Sequence, residues 1–184
     1  MNRSFRLLSV VSAFALAAVA ARAADAGYVD LGKFKPAAGC EFVEVNIGTP
    51  LLKFASLFMD HDDPDAAALI KSLKHIRVNV VGLNETNRAD TTAQVEKVRA
   101  ELEAQGWTKM VTVREKGDTE DVAIYVKSHS DEAIDGIVVT VIDAKKGEAV
   151  FVNVVGNIKP EQLASLGRGL HIDHLDVNVK SKGV

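Results

Sequence analysis

The chain has 184 residues, 22 Lys and Arg against 25 Asp and Glu, and a formal net charge of −3. An acidic balance offers no electrostatic footprint for DNA or RNA, so nucleic acid is not an expected partner. The only cysteine is Cys40, which excludes an intrachain disulfide and leaves the fold to be held by a packed core.

Residues 1–23 read as a secretory signal peptide. Arg3 and Arg6 precede an apolar run from Leu7 to Ala20, broken only by Ser9 and Ser12, and Ala21-Arg22-Ala23 supplies the small-x-small pattern that signal peptidase cuts. Cleavage is expected after Ala23, although cutting after Ala20 or Ala26 also satisfies the rule. An uncleaved anchor fits poorly, because roughly 14 apolar residues span ~21 Å as a helix against a bilayer core of ~30 Å. Cleavage removes Arg3, Arg6 and Arg22 with no acid, so the mature chain carries a net charge of about −6 and no membrane span. The expected location is the periplasm, if the host is Gram-negative, or the exterior.

Residues 24–40, with Gly27, Gly32, Pro36 and Gly39 and little periodicity, read as a flexible leader. Ala37-Ala38-Gly39-Cys40 has the wording of a lipidation box. It lies some twenty residues beyond the apolar run, with Lys33, Lys35 and Pro36 between, so Cys40 reads as a buried or idle thiol.

A single domain is expected over 41–180, followed by a tail at 181–184. Glu41 to Ile47 alternates polar and apolar residues, the period of a half-buried strand ended by Gly48. Leu51, Phe54, Ala55, Phe58 and Met59 recur at helical spacing, and the pattern restarts at Ala66, Leu69, Ile70 and Leu73, which predicts a helical hairpin. Asp63 as N-cap and Pro64 at the first helical position suit the second helix start. Ile76, Val78 and Val80 give a second strand. Val95, Val98 and Leu102 then form the buried stripe of a third helix that stops at Gly106.

From Trp107 the period becomes two. Val111 and Val113, Val122 to Val126, Ile137 to Ile142 and Ala149 to Val155 predict four strands, joined by short turns into an antiparallel meander. The last two runs are apolar on nearly every residue, so they read as central strands covered on both faces or as strands with an exposed binding face. Pro160 to Leu166 predicts a short helix ended by Gly167. The element order is β-α-α-β-α-β-β-β-β-α. That order implies an α+β fold, a mostly antiparallel sheet with helices packed mainly on one face.

Chemistry-bearing clusters each meet a plainer reading. His171, Asp173 and His174 offer nitrogen and oxygen donors of the metal-ligating type, but in an extended segment His171 and Asp173 share one face while His174 and Asp176 share the other. His61-Asp62-Asp63 with Asp65 lacks the twelve-residue calcium loop and reads as a helix cap. Ser128-His129-Ser130-Asp131 holds triad residue types, yet sequence neighbours cannot stack in the required relay, so it reads as a turn. The one glycine after Val150 to Val155 marks a strand running into a turn rather than a phosphate loop. No nucleophile elbow, His-Glu-x-x-His motif, phosphate-binding glycine loop or cysteine pair is present, and no cofactor is expected.

Several of these segments carry a family resemblance. The signal peptide, Leu51-Leu52-Lys53-Phe54-Ala55 leading to Leu69-Ile70-Lys71-Ser72-Leu73-Lys74-His75-Ile76-Arg77-Val78, the Trp107 strand, and Val152-Asn153-Val154-Val155-Gly156-Asn157-Ile158 leading to Leu163 and Leu166 are among them. The chain from about Glu41 to Leu170 resembles the exported bacterial proteins grouped as domain of unknown function 4252. That resemblance implies an exported domain and no catalytic residues.

The expected function is a non-enzymatic exported module that binds an envelope protein or an apolar ligand, or that pairs with itself as a homodimer. Tyr125, Phe151 and Val155 are the residues expected on its partner face. A metal-dependent hydrolase using His171, Asp173 and His174 is the alternative.

Overall fold

A computed structural model describes residues 25–59, 64–115, 117, 119–159 and 162. The elements follow the expected order: β1 (Phe42–Gly48), α1 (Thr49–Met59), α2 (Pro64–Ser72), β2 (Leu73–Gly82), α3 (Arg88–Ala104), β3 (Thr108–Arg114), β4 (Glu120–Ser130), β5 (Ala133–Asp143) and β6 (Glu148–Ile158). The fold is α+β. Among the described residues six strands form one sheet in the order β1-β2-β6-β5-β4-β3, and every neighbouring pair is antiparallel. The all-apolar runs of β5 and β6 lie at the centre, where both faces must be lined with side chains that tolerate burial. The expected Asp63 cap and, apart from Gln162, the helix after Pro160 fall outside the described residues.

Alternation sorts the strand residues onto two faces. On one, Val95, Val98 and Leu102 of α3 pack with Tyr125, Val138 and Phe151. On the other, Leu52 of α1 and Leu69 of α2 pack with Val126 and Val154. Two of the three described helices, α1 and α2, thus lie on one face, and α3 covers the other. The physical reason is the central pair: strands apolar on both sides need a cover on both sides. At the end of α3, Gly106 takes φ +76°, and the Trp107 N–H donates to the Leu102 carbonyl, the left-handed stop that ends a helix.

The segment read as a flexible leader is part of this core. Val29, Leu31 and Phe34 are buried, and the Phe34 ring lies 4.3 Å from that of Phe151. Asn153, fully buried on β6, accepts a hydrogen bond from the Val29 N–H at 3.1 Å and donates to the Gly27 carbonyl at 3.0 Å. The backbones meet closely at Gly27 and Gly136, where a Cβ on Gly136 would come within 2.6 Å of Gly27 and 2.8 Å of the Trp107 ring. Irregular backbone docked by spaced apolar residues has no period, which is why the sequence pattern misses it.

Asn79 sits at the core face of β2, opposite Phe151, only 1% exposed, with neither amide atom hydrogen-bonded. A buried amide without partners opposes folding by about 1–3 kcal/mol. We expect Asn79→Leu to stabilise the chain by roughly 1 kcal/mol, since the swap removes that penalty but changes shape as well. A shift of the urea midpoint upward checks it.

Candidate functional site

The α1–α2 side of the sheet is built from aliphatic rows. In register across all six strands run Val43, Val80, Val150, Val141, Val122 and Val113, and beside them Val45, Val78, Val152, Val139, Ile124 and Val111. A third row holds Ile47, Ile76, Val154, Ile137 and Val126 before Thr108 closes it. The third row lies under the helical hairpin, where Ile47, Ile76, Ile137, Val126 and Val154 join the cluster of Leu52 and Leu69. No residue of the first row is buried, and its ends, Val43 and Val113, are 37% and 40% exposed. In the second row Ile124 and Val139 are buried, and Val45 at the edge is 37% exposed.

α1 is apolar on its outer side as well as its inner one. Leu52 and Ser56 face inward, while Leu51, Phe54, Leu57 and Phe58 are each more than half exposed. The Phe54 and Phe58 rings meet edge to face at 4.9 Å. Lys53 is the one charged residue of the helix. A helix apolar all round normally lies between two layers, and here the described residues supply one. The uncovered first row, the exposed edge of the second at Val45 and the outer stripe of α1 make one apolar surface with no charged strand residue in it.

The other side carries a polar cleft of about 250 Å³ between α3 and β3–β4, lined by Glu96, Arg99, Glu103, Lys109, Arg114 and Tyr125 among others. Its charges satisfy one another. Arg99 pairs with Glu96 at 3.1 Å and with Asp121 at 3.0 Å, Arg114 pairs with Asp121 at 3.2 Å, and Lys109 pairs with Glu103 at 2.6 Å. The Tyr125 hydroxyl donates to Glu103 at 3.1 Å. The hydrogen bond from Lys109 holds the Glu103 carboxyl below its usual range, and the return bond raises Lys109. Burial raises Tyr125. Each shift moves the titration further from neutral pH, keeping Glu103 and Lys109 charged and Tyr125 neutral, whereas general acid–base work favours a group titrating near the working pH. This cleft is a salt lock between helix and sheet.

The residues singled out by sequence fall as follows. Tyr125 and Phe151 are 0% exposed, under α3 and the 25–37 segment, and Val155 is 1% exposed. They are core, and the exposed apolar surface lies on the opposite face of the same strands. His171, Asp173 and His174 lie outside the described residues. Among the described residues no group of three or more His, Cys, Asp or Glu gathers as metal ligands would. His129 is exposed and its Nδ1 lies 3.3 Å from Asp135, in the β4–β5 hairpin, apart from any nucleophile relay. Cys40 is a free, half-buried thiol. Among the described residues no helix is long and apolar enough to cross a membrane.

No curated protein and no solved structure matches the chain. The family described as domain of unknown function (DUF4252) matches residues 39–166, which take in β1 through β6 with all three helices, and the chain belongs to that family.

Proposed function

We propose that the chain is an exported protein, periplasmic or secreted, whose domain works as a non-enzymatic interaction module. The observation that carries this reading is the apolar surface made by the uncovered Val row, the exposed edge at Val45 and the outer stripe of α1. Exposed apolar patches of this kind mark sites where something else binds. The signal pattern over residues 1–23 supports export.

Two measurements test it. Fractionation with mass spectrometry should find the chain outside the cytoplasm beginning within a few residues of position 24, and an intact N-terminus in the cytoplasm would contradict export. A photo-crosslinking amino acid at Phe58 should give an adduct in the producing cells, while the same residue at the exposed Glu101 on α3 gives none. Equal behaviour of the two positions would remove the interaction surface.

A further inference from the structure

We infer that the partner of this surface is a second copy of the chain, with α1 of each copy seated on the uncovered aliphatic row of the other. The inference rests on the interaction reading above and names its occupant.

Two needs on the page answer one another. The outer side of α1 points away from its own sheet, because Leu52 and Ser56 on the inner side are buried while Phe54, Leu57 and Phe58 are exposed. It therefore needs a second apolar layer about 10 Å from the helix axis, the ordinary spacing of a packed layer. The sheet face needs the converse. Its third row is covered by the hairpin and its first is not, so half the floor lacks a helix. A two-fold axis satisfies both at once, since an isologous contact repeats residue for residue on the two copies. The result is a layer of helices between two sheets.

The extent of the surface agrees. Six strands at about 4.8 Å spacing and one uncovered row give a floor roughly 24 Å by 7 Å, to which the exposed edge of the second row at Val45 adds. An eleven-residue α1 adds a stripe about 16 Å long. Together they cover about 330 Å² in flat projection, less than the ~800 Å² per partner of a standard interface, which suits a dimer that comes apart on dilution. A small apolar ligand is a poorer match, because such ligands sit in concave pockets that enclose most of their surface. The uncovered row is an open floor, and another copy is the partner that brings an apolar helix of matching length, with Lys53 its one charge.

Sedimentation of the full mature chain over a hundredfold concentration range tests this. We expect a mass twice that of one chain at the upper end, falling to a single chain on dilution. Phe54→Asp/Phe58→Asp on α1 and, separately, Val45→Asp on the floor should each return the mass to one chain, with far-ultraviolet circular dichroism unchanged. The crosslinker at Phe58 should form its adduct with peptides of β2 or β6 from a differently labelled copy. A wild type that stays monomeric throughout overturns the inference, and so does a dimer that survives either variant. A monomer whose Phe58 crosslinks to a different protein overturns the second copy and leaves the interaction reading standing.

Discussion

Asn153→Leu will cost about 3–5 kcal/mol, because it removes the amide that ties the 25–37 segment to the sheet. Leucine fills nearly the same volume, so the loss is one of hydrogen bonding rather than of packing. In the native chain the Asn153 amide, fully buried, accepts from the Val29 N–H and donates to the Gly27 carbonyl at 3.0 Å and the Ile137 carbonyl at 3.2 Å. Leucine strands those groups away from water, at about 1–3 kcal/mol each for the ones that find no other partner. The chain has one escape, which is to peel the segment away and hydrate its backbone. That exposes Val29, Leu31 and Phe34, each worth about 1.5–3 kcal/mol when fully buried, so the escape is no cheaper. A melting-temperature fall of roughly 10 °C follows for a chain of this size. Hydrogen exchange separates the two routes: protection lost first at Val29 means release, and uniform loss means a strained segment that stays docked. A fall of less than 1 kcal/mol would show that the amide clamp is dispensable.

The same clamp shows what the sequence makes legible. Strands and helices were readable because their periods are set by local geometry: Val111 and Val113 alternate, and Val95, Val98 and Leu102 return to one helical face. Val29, Leu31 and Phe34 carry no such signature, since a docked extended segment keeps whatever spacing the sheet below dictates. The site was harder to read for a related reason. In β6 every position from Ala149 to Val155 except Asn153 is apolar, so alternation cannot say which parity faces out. Phe151 and Val155, with Tyr125 on β4, lie on the face of the larger side chains. Those are the ones a core buries, because an aromatic ring removes more apolar area from water. The register supplies what a single strand lacks: Phe151 sits opposite Asn79 and Thr140 on the α3 face, which leaves Val150 and Val152 on the other. Asn153 was itself a signal, a polar residue amid an apolar central strand, which has to be hydrogen-bonded inside.

The polar link between α3 and the sheet should prove nearly as sensitive. Arg99 is buried on α3, its side chain 7% exposed, and its Nε donates to the Thr140 hydroxyl at 2.9 Å while the other nitrogens meet Glu96 and Asp121. Removing one partner of a buried pair leaves the other uncompensated, at about 3–5 kcal/mol for full burial. Here Asp121 keeps Arg114, and Arg99 keeps Glu96, so Arg99→Met or Asp121→Ala should each cost about 2–4 kcal/mol. The double variant should cost at least 1 kcal/mol less than the sum, because the second change removes the charge the first one stranded. Acid gives an independent reading. Burial pushes the Asp121 carboxyl up, but the hydrogen bond and charge of Arg99, followed by those of Arg114, outweigh it and hold the group below its ordinary range. A carboxyl lower in the folded chain than in the unfolded one adds stability that is complete above the unfolded value, about 3.9, and is lost as pH falls through the folded value. Denaturation midpoints taken downward from pH 5 should therefore fall more steeply for the native chain than for Asp121→Asn. Parallel curves would mean that the Arg99–Asp121 pair does not hold α3 on the sheet through its charge, and that the helix is kept by Val95, Val98 and Leu102 alone.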